Sequence, residues 1–421
     1  MTAVTVAPSS VVGLDEAVEH IAGTAFRAGP IGRVGLELES HLVDLDRPGS
    51  RVPWERVTGL VAELEPLPEG SRVTLEPGGQ VELSSPPAAD AAAAVAGLRS
   101  DRVALAGVLS RAGLGMSVLG TDPLRPPLRL SPAGRYAAME QHFAAVGCQE
   151  AGIRMMTSTA ALQVNLEAGP APHWAPRMAQ AHRLGPVLVA VSACSPLLGG
   201  HPAAWRSGRQ HIWAELDRSR CAPALTGNDP AADWATYALA APVMLVRDPA
   251  TGAAEAVRTR TPMAEWLTGT TLLAGRSPTV ADLDYHLTTL FPPVRPRGYL
   301  ELRYLDAAPE PWWPALAAVT ATLLDDPAAA DRAADACAPV EGRWVDAARI
   351  GLADRALRTA AVACLAAAVD TVHADLRPEV CLLADLVSRG HSPGDAVLAR
   401  AGGSDPLAVL AAATDLPGGD R

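Results

Sequence analysis

The 421-residue chain contains no lysine, so its whole basic complement of 35 is arginine. That absence removes two chemistries, because a P-loop needs its lysine at the phosphates and a Schiff base needs a side-chain amine. Any grip on a phosphate or carboxylate must use arginine, whose planar fork suits bidentate oxyanion binding. The six cysteines (Cys148, Cys194, Cys221, Cys337, Cys364, Cys381) include no CxxC and no close pairing with histidine, so buried free thiols are expected rather than a zinc site. No HExxH or GxSxG occurs, His20, His142, His182, His286 and His373 stand alone, and Gly113-Leu114-Gly115 lacks the third glycine of a dinucleotide loop. The most apolar long run, Gly185 to Leu198, contains serine and proline and reads as a buried helix instead of a membrane span. The first residues, MTAVTVAPSS, have neither the basic start nor the apolar core of a signal peptide, so a cytoplasmic location is expected. A net charge of -11 gives no electrostatic reason to bind nucleic acid or an anionic membrane. A small-molecule partner fits better.

What is present is ample apolar material, 49% of the chain, arranged in mixed periods. Residues 1–10 read as a flexible tail and 11–421 as one catalytic domain. Leu14, Val18, Ile21 and Ala25 recur at helical spacing over 14–26, whereas 32–44 alternates Val34, Leu36 and Leu38 with Gly35, Glu37 and Glu39, the period of a strand. Pro53 opens a helix carrying Trp54, Val57, Val61 and Leu64. Residues 73–84 read as two short strands around Pro77-Gly78-Gly79, since glycine permits the backbone angles of a tight turn. Residues 88–112 are helical by propensity, 123–132 form a proline-rich loop, and 157–167, 242–247 and 298–306 are further strands. From 311 to 421 the alanine-leucine pattern predicts a helical scaffold. Without a regular βαβ beat, an α+β fold is favoured, an antiparallel sheet with helices on its apolar face.

Four of these strand segments each place polar side chains on one face. Glu37 and Glu39, two apart, project together at about 7 Å. Glu76 and Glu82 flank the hairpin, Gln163 and Asn165 project from a third segment, and Tyr299, Glu301 and Arg303 from a fourth. Alternate glutamates on a single strand are ordinarily its solvated face. Their repetition on several strands, with arginine added, changes the reading, because carboxylates crowded on one surface repel unless a cation joins them. Oxygen-only ligands select hard magnesium or manganese. Arg209 and Trp213, four apart in Ser207-Gly208-Arg209-Gln210-His211-Ile212-Trp213, share a helix face.

Five ordered segments carry a family resemblance: GLELE from Gly35, TLEPGGQVELS from Thr74, MMTSTAALQVNL from Met155, RQHIWAELD from Arg209 and LFPPVRPRGYLELRYLD from Leu290. Together they resemble the plant-type and bacterial glutamate-cysteine ligases of the glutamine synthetase superfamily, most of all the actinobacterial members that begin ergothioneine synthesis. The resemblance implies a curved sheet forming an active-site funnel that holds ATP, two or three magnesium ions and glutamate. It implies Glu37, Glu39, Glu76, Glu82 and Glu301 as metal ligands, and Gln163 and Asn165 near the metal and nucleotide. Arg209 and Arg303 would hold the substrate carboxylate and the transferring phosphate, with Trp213 and Tyr299 beside the substrate. Some family members have histidine where this chain has Asn165, and the redox disulfides of plant members have no counterpart here. The implied product is γ-glutamylcysteine, made through a γ-glutamyl phosphate. Rival readings are a ligase of the same family for another amine, a metal-dependent hydrolase, or a non-catalytic binding protein on the same scaffold.

Overall fold

The computed structural model describes residues 11–224 and 227–415, so the expected tail at 1–10 and the last residues, 416–421, lie outside the described residues. Among the described residues, the main sheet consists of β1 (Val34–Asp44), β2 (Arg72–Leu75), β3 (Val81–Ser84), β4 (Leu114–Ser117) and β5 (Ala161–Glu167), with three strands from later in the chain. Two short ribbons intervene, β6 (Leu197–Leu198) with β7 (His201–Pro202) and β8 (Leu245–Arg247) with β9 (Ala254–Ala256). The sheet is then completed by β10 (Val294–Pro296), β11 (Tyr299–Asp306) and β12 (Thr414–Asp415). The strands run β10-β11-β5-β1-β3-β2, while β4 pairs with the far half of β1 and carries β12 on its other edge. Every pairing is antiparallel.

One face of this sheet is the core. Leu36, Leu38, Leu162, Val164, Leu166, Leu300 and Leu302 are all buried, and helices Ala91–Arg111, Trp174–Ser192 and Trp312–Asp325 pack on β1, β11 and β5 respectively. The expected α+β architecture is therefore present, an antiparallel sheet and helices rather than a doubly wound or closed sheet. Among the described residues no helix is long and apolar enough to cross a membrane.

Several boundaries differ from the sequence reading. The helix Trp174–Ser192 begins well before Gly185 and stops short of Leu198, because Pro196 cannot continue it and 197–198 turns into β6. Thr157 and Ser158 close a helix, Gln149–Ser158, and the strand starts only at Ala161. Residues 245–247 are indeed extended but pair with 254–256, outside the main sheet. In the first helix, Leu14–Ala25, the buried line is Ala17-Ile21-Ala25, and Leu14 and Val18 are exposed: that face meets the helix Pro230–Ala240. The C-terminal region is helical from Trp312 to Ala412 with short connections, yet it ends by adding β12 to the sheet. All six cysteines are free, but only Cys194, Cys337 and Cys364 are buried.

Candidate active site

Register explains the polar face. Across β1 and β3, Glu39 stands opposite Glu82, and across β1 and β5, Glu37 stands opposite Gln163. Asn165 lies opposite both Gly35 and Glu301, so four strands present their polar residues to the same side. Residues directly opposite in an antiparallel pair share a face, so this pairing gathers what alternation exposes on each strand. The absence of a side chain at Gly35 leaves that row open: an added Cβ would stand 3.5 Å from that of Asn165.

The hairpin carrying Glu76 and Glu82 is anchored from below. Gly78 approaches so closely that an added Cβ would lie 2.3 Å from the Thr157 carbonyl oxygen, and Gly79 takes φ +84°, which side chains disfavour. Gln80 donates through its amide to the Thr159 carbonyl at 2.9 Å, and Arg51 donates to the Gly78 carbonyl at 3.2 Å.

These elements enclose a cavity of about 300 Å³ lined by Glu37, Glu39, Glu76, Glu82, Gln163, Arg209, Trp213, Glu301 and Arg303. Asn165 and Tyr299 sit on the same strands without lining it; Asn165 instead donates to Glu37 Oε1 at 3.0 Å. Further wall residues had no assigned role from sequence, notably Arg135, Tyr136, Met139, Met155, Arg295 and Arg297. The arginines could have been found from the turn: in Arg295-Pro296-Arg297-Gly298 the chain reverses, and Arg295 falls opposite Glu301.

Charge in the cavity is unevenly balanced. Burial, with repulsion from Glu76 and Glu82, pushes Glu39 up to about 8, and burial with Glu82 beside it pushes Glu76 up to about 7. Glu37 is raised by burial and by Glu301 and Glu82. Glu301 is the opposite case. It is fully buried, yet Arg295 at 2.5 and 3.0 Å, Arg297 at 3.1 Å and Arg303 at 3.1 Å outweigh that burial and hold it well below the usual carboxylate range. Arg303 also donates to Gln163 Oε1 at 2.6 Å. Arg209 is held by the Arg303 carbonyl at 2.8 Å, and its Nη1 has no hydrogen-bond acceptor, Asp306 lying 3.9 Å away. The guanidinium sits 6.0 Å from the Trp213 ring centre, as their four-residue spacing predicts.

The donor set fits a hard cation: carboxylates alone, three of them raised by burial and by mutual repulsion that added positive charge would relieve. Among the described residues, no three His, Cys, Asp or Glu side chains are already gathered as a metal centre. Two of the carboxylates are fixed by hydrogen bonds to neighbouring groups. Glu82 accepts from Thr74 at 2.9 Å and Ser84 at 2.8 Å, and Glu39 accepts from the Ala161 amide at 2.9 Å.

The same residues lie inside a family match. The model of glutamate-cysteine ligase family 2 matches residues 33–405. The chain belongs to this family. It is 51% identical over 390 residues to the glutamate-cysteine ligase EgtA of Mycolicibacterium smegmatis, covering 92% of each chain. It is 52% identical to the EgtA of Mycobacterium tuberculosis over 90% of this chain and 88% of that one. A chloroplastic glutamate-cysteine ligase of Medicago truncatula is 31% identical over 70% of this family member and 58% of its own length. Among solved structures, a glutamate-cysteine ligase of Francisella tularensis in complex with AMP superposes with TM-score 0.55 at 13% identity, over 92% of this chain and 89% of that one, which shows a shared fold.

Proposed function

We propose that this family member is an ATP-dependent glutamate-cysteine ligase, joining the γ-carboxylate of glutamate to the amine of cysteine to give γ-glutamylcysteine for ergothioneine or another small thiol. One observation carries the reading: residues from β1, β3, β5 and β11 that are far apart in sequence surround one cavity with carboxylates and arginines together. The ligase names of its relatives and the extent of the match support it. On this reading residues 11–421 act as one catalytic domain in the cytoplasm, and the sheet is the wall of a glutamine synthetase-like funnel.

The substrate γ-carboxylate oxygen attacks the terminal phosphorus of ATP, forming an O–P bond as the bond to ADP breaks. The cysteine amine then attacks the acyl carbon, losing a proton, and inorganic phosphate departs. Such phosphoryl transfer depends on positioning and charge neutralisation more than on covalent help. Arg209, whose Nη1 lacks an acceptor, and Arg303 hold the glutamate carboxylate and the phosphoryl oxygens. Gln163 orients the Arg303 guanidinium, and Asn165 orients the Glu37 carboxylate beside the nucleotide. Trp213, which lines the cavity, borders the substrate. Glu37, Glu39, Glu76, Glu82 and Glu301 would hold two or three magnesium ions, which when bound supply charge neutralisation to the nucleotide phosphates. Glu301 would do so in competition with Arg295, Arg297 and Arg303, which all bond its carboxylate.

Mass detection of γ-glutamylcysteine from purified protein with glutamate, cysteine, ATP and magnesium tests the proposal. Product only with another amine from a panel would replace cysteine as substrate, and hydrolysis of ATP without any amide product would refute the ligase reading.

A further inference from the structure

The carboxylates and the Glu301 arginines account for one part of the cavity wall. Much of the rest differs in chemistry: several wall residues belong to, or pack on, a second apolar cluster, separate from the core beneath the sheet. Helices Gly134–Ala145 and Gln149–Ser158 supply it with Tyr136, Met139, Met155 and Met156, and Phe291 completes it. The chain has eight methionines, and this small cluster gathers four, Met139, Met155, Met156 and Met244. The much larger main core holds three, Met116, Met178 and Met263, among mostly leucine, valine and alanine. Thioethers concentrated at a cavity wall offer a polarizable surface without hydrogen-bond acceptors of any strength, suited to a thiol and poorly suited to a hydroxyl.

One position before Tyr136 on the same helix, Arg135 reaches the cavity. It donates to the Thr288 carbonyl at 3.2 Å and hydroxyl at 3.0 Å, and its guanidinium lies 4.9 Å from the Tyr285 ring centre. Among the described residues it has no carboxylate partner, unlike Arg295, Arg297 and Arg303, which share Glu301. It also sits near enough to Glu76 for the two charges to influence each other.

We infer that this helical wall is the seat of the amino-acid acceptor: Arg135 binds the α-carboxylate of cysteine, and Met139, Met155 and Phe291 receive its thiol. The amine is then directed toward the carboxylate side of the cavity, where the activated glutamate lies. The inference rests on the ligase reading and adds to it the residues that select a thiol.

Steady-state kinetics on the full-length protein with magnesium test it, using cysteine, serine and 2-aminobutyrate as acceptors. Arg135→Gln raises KM for cysteine about 10- to 100-fold, the loss of a charge-assisted hydrogen bond, with KM for glutamate and ATP within about twofold. Met155→Thr and Met139→Thr lower the preference for cysteine over serine by about tenfold or more, and Met155→Leu keeps that preference because the wall stays apolar. An Arg135→Gln enzyme whose KM rises for glutamate or ATP but not for cysteine overturns the assignment, as does one impaired equally toward all three. Arg135 is half-exposed and caps no buried network, so this variant reads out even where a methionine variant unfolds. A wild-type enzyme that forms no γ-glutamylcysteine overturns the ligase reading itself, and is recognised before any variant is compared.

Discussion

The sheet face around Glu37 and the helical block from Trp312 to Ala412 follow opposite physical rules. In the block, charge is kept outside: Arg332 pairs with Asp370 at 2.7 Å with both side chains about half-exposed or more, while Trp313, Leu316, Leu323 and Leu357 are buried. It packs on the helix Trp174–Ser192 so closely that an added Cβ at Gly185 would lie 1.8 Å from the Trp344 ring. On the sheet face, charge is held in an enclosed cavity, and Glu39 and Glu76 are left without an arginine of their own. Such an arrangement costs stability unless a ligand completes it. The block is organised to stay folded, and the sheet face is organised to bind.

That contrast is broken most strongly at the two extremes. Arg303→Gln should lower kcat for γ-glutamylcysteine synthesis by about 10²- to 10³-fold, the usual effect of removing one positioned charge donor, while far-ultraviolet circular dichroism stays native. Gly185→Val should do the reverse, lowering stability by about 1–3 kcal/mol in denaturant unfolding through overpacking against Trp344, with kcat per folded molecule unchanged.

The pH response sharpens the comparison. Glu39 at about 8 and Glu76 at about 7 are raised above their unfolded values, so these two groups bind more protons in the folded protein than in the unfolded chain between about pH 4.5 and 8, whereas His41, His142, His182 and His286, lowered by burial, act the opposite way below about pH 6.5. Stability of metal-free protein should therefore fall as pH rises from about 6.5 to 8, where the two carboxylates decide the balance. Glu39→Gln should flatten the fall and stabilise the metal-free protein on the order of 1 kcal/mol at pH 8, measured by thermal unfolding, and magnesium with nucleotide should raise the wild-type Tm more than that of the variant. At the small end, Arg332→Gln in the block should change stability by about 0–1 kcal/mol, since its ion pair is exposed and solvent screens it.

How much of this was legible follows from the range of the forces involved. Alternation at Glu37 and Glu39, the Pro77-Gly78-Gly79 turn and the Arg209-Trp213 spacing are local, and each stands in the structure where its local pattern puts it. The strand order is not local. Nothing within 161–167 says that it inserts between β1 and β11, and only that insertion brings Glu301 to the row of Asn165. The three arginines on Glu301 come instead from the local β10–β11 hairpin, where Arg295 falls opposite Glu301, a signal that the sequence reading left unused. The methionine wall was hidden for another reason: methionine at helical spacing reads as core, and Met139 and Met155 are indeed buried, yet they also face a cavity. Leu14 and Val18 show the converse error, apolar residues on a plausible helical face that packing leaves outside.

The central claim is that side chains from separate strands jointly hold a hard cation and the nucleotide phosphates. Manganese titration followed by electron paramagnetic resonance, with a non-hydrolysable ATP analogue present, measures this directly. The account predicts tight, nucleotide-dependent loss of the free-ion signal, weakened at least about tenfold in both Glu37→Gln and Glu82→Gln but not in Glu167→Gln. Equal manganese affinity in all four proteins would contradict it.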